Sequence, residues 1–286
     1  MSLHHSGTLP DLADIDTAIA RATASGALHG IRTEQVFIDD CGIRFLVRWA
    51  STLARKDAAR KPAADSPPAN PFLPPETALT LGAAGSGHLL VLNKFPVIAR
   101  HLLIITRTFE EQQAPLTRGD FDALASVMQS LGGLGFYNGG ADAGASQRHK
   151  HLQWIPESPQ SDCLRSMSAA LPTDGATLQV LTHPLLHWRH AFVRLDRQPD
   201  GTLLAEAFAR GAAHCHLNPQ EGRMPPYNFL ANDEWMLVVP RSHERCEGIS
   251  INALGFAGSM FVRDPSQIET VRRLGPLNML QAVATR

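Results

Sequence analysis

The clearest pattern along the chain is helical. In LTRGDFDALASVMQSLGG, the apolar residues Phe121, Leu124, Ala125, Met128 and Leu131 recur at three- and four-residue spacing. Thr117 and Asp120 open that run in the manner of a capping box, and Gly132 and Gly133 close it. The same reasoning predicts helices in DIDTAIARATASG, stopped by Gly26, in LLAEAFARGA, and in DPSQIETVRRLG, where Asp264, Pro265 and Gln267 mark the start. Between them lie short β-rich runs. QVFIDDCGIRFLVRW places two apolar stretches around a DDCG turn and predicts a hairpin. HLLVLN and HLLIIT, joined by KFPVIAR with Pro96 at the turn, predict two antiparallel strands. GFYNGG, HKHLQWI, HAFVRL, YNFLA and WMLVVP read as further strands. The segment KDAARKPAADSPPANPFLPP is dense in Pro and Ala and predicts an extended surface connection. Hairpin-joined strands with a few long helices make this an α+β protein with mainly antiparallel sheet. It divides into an N-terminal preface (1–75), a first half (76–160) and a second half (161–286) that partly echoes the first.

Composition narrows the classes. At 286 residues with 44% hydrophobic content the chain can bury a sizeable core, and a net charge of −1 gives no polybasic surface for nucleic acid or membrane. Any anion must therefore be held locally. Cys41, Cys163, Cys215 and Cys246 are far apart and form no CxxC pair, which fits a reducing cytoplasm and suggests neither a disulfide framework nor a zinc ribbon. No apolar run reaches the length of a membrane span, and MSLHHSGTLPD lacks a signal-peptide core.

The chemistry concentrates in GASQRHKHLQW. On a strand, His149, His151 and Gln153 share one face, while Lys150, Leu152 and Trp154 share the other. Packing explains the alternation but not the choice of two imidazoles and a carboxamide. A neutral imidazole can attack phosphorus when its second nitrogen donates to a fixed acceptor, and His151, at the centre of the row, is the natural nucleophile. Gln153 can donate to phosphate oxygens without titrating, and the backbone amides of GASQ can form a concave anion nest. By contrast, His214 and His216 around Cys215, and the histidines of HPLLHWRH, lack a second ligand pair at useful spacing and read as structural.

The stretch FYNGGADAGASQRHKHLQWIP resembles the active-site segment of the diadenosine tetraphosphate phosphorylases, or ATP adenylyltransferases, of the histidine-triad superfamily, whose signature is HxHxQ. NPFLP, LLVLNKFPVIARHLLIITRTFEEQ, EWMLVVPRS and GISINALGFAGSMFVR extend the resemblance over most of the chain from about residue 45. It implies a histidine-triad-like fold of two halves, only the first bearing the catalytic row. The implied reaction transfers an adenylyl group from the dinucleotide to inorganic phosphate through a covalent histidine–AMP, yielding ADP and ATP. Carried over by motif position, His151 is the nucleophile, with His149 and Gln153 beside it. Lys56, Asn93, Lys94, Asn138, Gly144, Ala145, Ser146, Gln147, Asn252, Ala253, Leu254, Ser259 and Arg263 are implied to bind substrate. Arg148 and Arg263 depart from the residues usual at their positions. No protein-held metal or other cofactor is expected, with Mg²⁺ able to accompany the polyphosphate. The expected partners are a small nucleotide and inorganic phosphate, with no nucleic acid or membrane, and the protein is expected to be a monomer or weak dimer. A sugar-1-phosphate nucleotidylyltransferase and a non-catalytic dinucleotide sensor stand as alternatives.

Overall fold

The computed structural model describes residues 9–50, 70–157, 163–172 and 174–286. Lys56 and most of the Pro/Ala-rich connection lie outside the described residues. Helix α1 (Leu12–Ala24) is capped by Asp11, which accepts the Asp14 amide while the Asp14 carboxylate accepts the Asp11 amide. The predicted hairpin follows as β1 (Thr33–Asp40) and β2 (Ile43–Ala50), joined by Cys41 and Gly42 at φ 50° and 82°. The first half contains β3 (Thr80–Ala84), β4 (His88–Leu92), β5 (Leu102–Thr106), α2 (Arg118–Leu131), β6 (Leu134–Gly139) and β7 (His151–Ile155). A short helix α3 (Cys163–Ser168) leads to the second half: β8 (Val180–Leu181), β9 (Ala191–Arg194), α4 (Gly201–His214), β10 (Tyr227–Ala231) and β11 (Trp235–Pro240). The chain then forms β12 (Arg245–Cys246), β13 (Ile249–Ser250), β14 (Ser259–Val262), α5 (Gln267–Leu274) and α6 (Pro276–Val283).

One nine-stranded antiparallel sheet runs through both halves in the order β3-β4-β5-β7-β6-β10-β11-β9-β8. The echo between halves is topological. In the first, β4, β5, α2, β6 and β7 give the order β4-β5-β7-β6; in the second, β8, β9, α4, β10 and β11 give β8-β9-β11-β10. The halves meet where β6 pairs with β10, with Asn138 directly opposite Asn228.

Each face of the sheet is covered. On one, Leu152 and Trp154 of β7, Tyr137 of β6 and Phe229 of β10 pack with Phe121 and Leu124 of α2 and Phe208 of α4. The predicted Thr117–Asp120 capping box opens α2, and Gly132 and Gly133 end it. A Cβ on Gly133 would lie 2.5 Å from the Ile155 carbonyl oxygen, so the helix can turn into β6 this closely only with glycine there. On the other face, Phe136, Leu230 and Leu237 pack beneath Phe45 and Val47 of β2 and Met260 of β14. β14 pairs in parallel with β2, so a strand from the C-terminal part completes the sheet begun by the N-terminal hairpin.

Two local features differ from the sequence reading. The strand expected over HKHLQWI begins only at His151, and His149 forms an isolated bridge with Glu111. There the Lys150 and Gln112 amides donate to the Glu110 and Arg148 carbonyls, so the approach to β7 pairs with a loop, its backbone bond to β5 being that of the Thr106 amide to the Lys150 carbonyl at 3.3 Å. The second feature is β14, four residues whose partner β2 lies more than 200 positions away in sequence, a pairing that no local pattern encodes.

Candidate active site

The alternation expected of β7 is present from its first residue. Leu152 and Trp154 enter the helix-side core, and His151 and Gln153 face the second layer, where Phe72 packs 5.3 Å from the His151 ring. Lys150 precedes them, wholly buried, with Nζ 2.6 Å from Glu110 Oε2, 3.2 Å from the Pro115 carbonyl and 3.4 Å from Asp120 Oδ2. Asp120 also accepts from His88 Nε2 at 2.8 Å and from the Thr117 amide at 2.6 Å. An ammonium with three acceptors can be tolerated in the interior, and here it anchors the segment between the two histidines against the start of α2.

Each imidazole of the site has one fixed tautomer. His151 Nδ1–H donates to the carbonyl of His149 at 2.8 Å, leaving the Nε2 lone pair without a partner among the described residues. Burial pulls the His151 pKa down to about 4, so the ring is neutral at physiological pH. His149 Nε2–H donates to the Thr106 carbonyl at 2.9 Å, while its Nδ1 accepts from Asn70 Nδ2 at 3.0 Å. A third histidine, His101, orients Gln153. Asn93 Nδ2 donates to His101 Nδ1 at 3.0 Å, and His101 Nε2–H donates to Gln153 Oε1 at 2.9 Å. The oxygen of Gln153 is thereby occupied and its amide nitrogen is the end left to meet a ligand. Burial lowers the His101 pKa to about 4, which keeps this chain of bonds uncharged.

Gln112 joins β7 to the neighbouring strand. Its Oε1 accepts the His151 amide at 2.9 Å, and its Nε2 donates to the carbonyl of Asn138 at 2.8 Å. The side chain of Asn138 accepts from Asn228 Nδ2 and from the Ala253 amide, each at 2.9 Å. After Asn138 the chain makes a 3-10 turn over Ala141–Ala143 and reaches Gly144 at φ 88°. A Cβ on Gly144 would sit 2.8 Å from that of Asn252, so glycine alone allows this loop to close on the 252–254 turn of the second half. Beyond Ala145, the backbone amides of Ser146 and Gln147 have no acceptor among the described residues. Asn252 caps its own turn through Oδ1 to the Leu254 amide at 3.0 Å. It also lines a cleft with Arg48, Ile98, Leu254, Ser259 and Phe261, in which Arg48 Nη1 donates to Ser259 Oγ at 2.6 Å. The arrangement is a neutral imidazole with a free nitrogen, flanked by carboxamide N–H groups and a glycine-opened loop, which suits attack on phosphorus with stabilisation of the surrounding oxygens.

Residues 2–172 match the family model for the Ap4A phosphorylase N-terminal domain, and residues 184–286 match that for the ATP adenylyltransferase C-terminal domain. The chain belongs to the Ap4A phosphorylase family. Within it, the chain is 32% identical to diadenosine 5',5'''-P1,P4-tetraphosphate phosphorylase 2 of Saccharomyces cerevisiae, over 80% of this chain and 79% of the relative. It is 28% identical to Protein APA1 of the same yeast, over 68% and 69% of the two chains. The crystal structure of yeast Ap4A phosphorylase Apa2 has the same fold, with a TM-score of 0.80 at 24% identity over 96% of this chain and 95% of that one. The same yeast protein in complex with Ap4A gives a TM-score of 0.76 at 25% identity over 96% and 98%.

In this Ap4A phosphorylase family member the residues singled out in the sequence take different positions. His151, Gln153 and Asn138 converge, and Gly144, Asn252 and Ala253 adjoin them across the boundary between halves. Asn93 spends both ends of its side chain on protein, its nitrogen on His101 and its oxygen on the Phe95 amide. Lys94 forms an exposed ion pair with Glu76 at 2.7 Å. Ser259 and Leu254 line the adjoining cleft, and Arg263 is exposed at the end of β14. Arg148 is exposed and donates to Glu111. His101, Asn70, Gln112, Asn228 and Arg241 were absent from the sequence-derived set. His101, Asn70, Gln112 and Arg241 stand inside the segments RHLLIIT, NPFLP, FEEQ and VPRS that carry the resemblance, and Asn228 repeats the Tyr-Asn pair of FYNGG in PYNFL.

Proposed function

We propose that this protein cleaves diadenosine tetraphosphate with inorganic phosphate, yielding ADP and ATP, by way of an adenylyl group held on His151. His151 Nε2 attacks the phosphorus of one terminal adenylyl unit; a P–N bond forms, the phosphoanhydride breaks, and ATP departs. Inorganic phosphate then attacks the same phosphorus, the P–N bond breaks, and ADP leaves with the imidazole restored to neutrality. The observation that carries this reading is the His151 Nδ1–H bond to the His149 carbonyl, which fixes the Nε2 lone pair outward and stabilises the positive charge that the ring acquires during transfer. The amide nitrogens of Gln153 and Asn138, with the backbone N–H groups of residues 146 and 147, supply donors for the phosphate oxygens.

Family membership and the likeness to a yeast enzyme seen in complex with Ap4A support the choice of dinucleotide. The nucleophile is organic and the chemistry requires no resident metal, while Mg²⁺ can accompany the polyphosphate as its counter-ion. The dispersed cysteines suit a reducing cytoplasm. No helix among the described residues is long and apolar enough to cross a membrane. Incubation with diadenosine tetraphosphate and phosphate, followed by product separation, should give equal ADP and ATP. Formation of AMP and ATP without dependence on phosphate would reject the proposal.

A further inference from the structure

Arg241 follows β11 in the second half and is almost completely buried. Its guanidinium donates from Nη1 to Asn228 Oδ1 at 2.5 Å, from Nη2 to the carbonyls of Ile251 and His243 at 2.8 Å, and from Nε to the Val283 carbonyl at 3.1 Å. Its Cζ lies 5.3 Å from the centroid of the Phe256 ring. Burial lowers its pKa only to about 10, so it stays charged at neutral pH. Such a group is expensive to enclose, and here its donors are taken up by backbone carbonyls and by Asn228, two of these acceptors, Asn228 and the Ile251 carbonyl, adjoining the site described above.

The consequence is one of direction. A carboxamide can turn over by 180° and present either an acceptor or a donor, and only its neighbours decide which. Arginine has donors alone, so Asn228 must give it the oxygen. The Asn228 nitrogen is then turned to Asn138 Oδ1 and to the Ala143 carbonyl, both at 2.9 Å. Asn138 receives a second donor on that oxygen from the Ala253 amide, so its own N–H₂ is the end left over, without a partner among the described residues. Every terminus of this chain has fixed polarity. Guanidinium and backbone N–H can only donate, the Ala143 carbonyl can only accept, and phosphate oxygens at neutral pH accept.

We infer that Arg241 is a positioning residue which, through Asn228, locks Asn138 with its amide nitrogen facing the nucleotide phosphate. The inference rests on the proposed placement of a nucleoside phosphate beside Asn138. Because Arg241 also holds the Ile251 carbonyl just before Asn252, the same guanidinium sets the turn that closes over Gly144.

The test reads AMP affinity by titration calorimetry alongside the single-turnover rate of adenylyl transfer, with thermal unfolding to establish the folded fraction. Asn228→Asp keeps the acceptor for Arg241 but replaces the donor facing Asn138 Oδ1 with a carboxylate oxygen, which repels that oxygen and attracts the Asn138 amide nitrogen, leaving only the Ala253 amide to hold the oxygen inward. AMP affinity should fall on the order of ten- to hundredfold in a folded protein. In an Asn138→Ala background the same change should cost less than about threefold, because the two residues act as one unit. Arg241→Lys, which can only donate, should retain more affinity than Arg241→Gln, which can turn its own carboxamide over. Undiminished affinity in Asn228→Asp, a loss that simply adds to that of Asn138→Ala, or a wild type that does not bind AMP would each overturn the inference. A wild type that binds AMP yet leaves diadenosine tetraphosphate intact would instead reject the proposed reaction, and the variants would still report on the positioning.

Discussion

The inner strands of the two halves, β7 and β11, occupy corresponding places in the sheet, and alternate side chains of both face the same second layer. On β7 these are His151, Gln153 and Ile155, of which only Ile155 joins the apolar cluster with Phe45 and Met260; on β11 they are Trp235, Leu237 and Val239, all packed in that cluster. The start and middle of β7 have given that face to chemistry, and the matching positions of β11 to cohesion. The difference continues behind the strand. β7 is preceded by the buried Lys150 with its Glu110 and Asp120 partners, while β11 presents Met236 and Val238 to the helix-side core. Polar groups on the first half's face are held by a chain of directed bonds, Asn93 to His101 to Gln153 and Asn70 to His149, because undirected packing cannot fix which nitrogen of a ring carries a proton. The second half keeps its rigidity through apolar burial and lends the site only what reaches across the boundary: Asn228, Arg241 and the 252–254 turn.

Crossed substitutions should break this contrast most sharply. His151→Ala should reduce turnover by about four orders of magnitude or more while leaving AMP binding and thermal stability nearly unchanged. Leu237→Ala should do the reverse, costing about 2–5 kcal/mol of stability in denaturant unfolding with kcat per folded molecule retained. A protein in which both substitutions mainly destabilise would remove the division of labour. Next in size, Lys150→Ala leaves the buried Asp120 carboxylate without its cation, and unfolding should show a loss of about 3–5 kcal/mol. An unchanged midpoint would mean that the ion pair anchors nothing. Gln153→Glu removes the donor and sets a carboxylate against phosphate, so kcat for phosphorolysis should drop by about a hundredfold, with thermal unfolding confirming the fold.

The smallest effect lies in pH. An ordinary histidine nucleophile loses activity as pH falls through about 6.5. With His151 depressed to about 4 by burial, the single-turnover adenylyl transfer should hold its rate well below pH 6 and fall only on approach to pH 4. The linked effect on stability has a definite sign. The unfolded chain binds protons at these imidazoles from about pH 6.5 downward while the folded chain refuses them until about pH 4, so His101 and His151 destabilise the fold as pH falls through that window. A smaller fall in the unfolding midpoint between pH 7 and pH 5 in His101→Leu than in the wild type would isolate the share due to His101, the remainder belonging to His151.

Local patterns in the sequence were enough for α1, α2, α4 and the strands around the HxHxQ row, because each carries its own period and punctuation. The Thr117–Asp120 cap and the Gly132–Gly133 stop are examples. The nucleophile and Gln153 were legible for the same reason, since alternation on one short strand already places them on one face. What could not be read was long-range. β14 is four residues that make sense only beside β2, and Arg241 gains its role only when Ala143, Asn228 and Ile251 come together around it. Asn93 shows the remaining difficulty. A motif can mark a residue as belonging to the site, but only the fold reveals that its carboxamide is turned onto His101.

The central claim is that a neutral His151 briefly carries the adenylyl group, and rapid quenching tests it most directly. Protein mixed with diadenosine tetraphosphate labelled at the phosphorus beside adenosine, without inorganic phosphate, should retain one acid-labile label per active chain. Peptide mapping should place it on His151, and added phosphate should release it as ADP. Full catalytic turnover with no label bound to the protein, or label on another residue, would contradict the account.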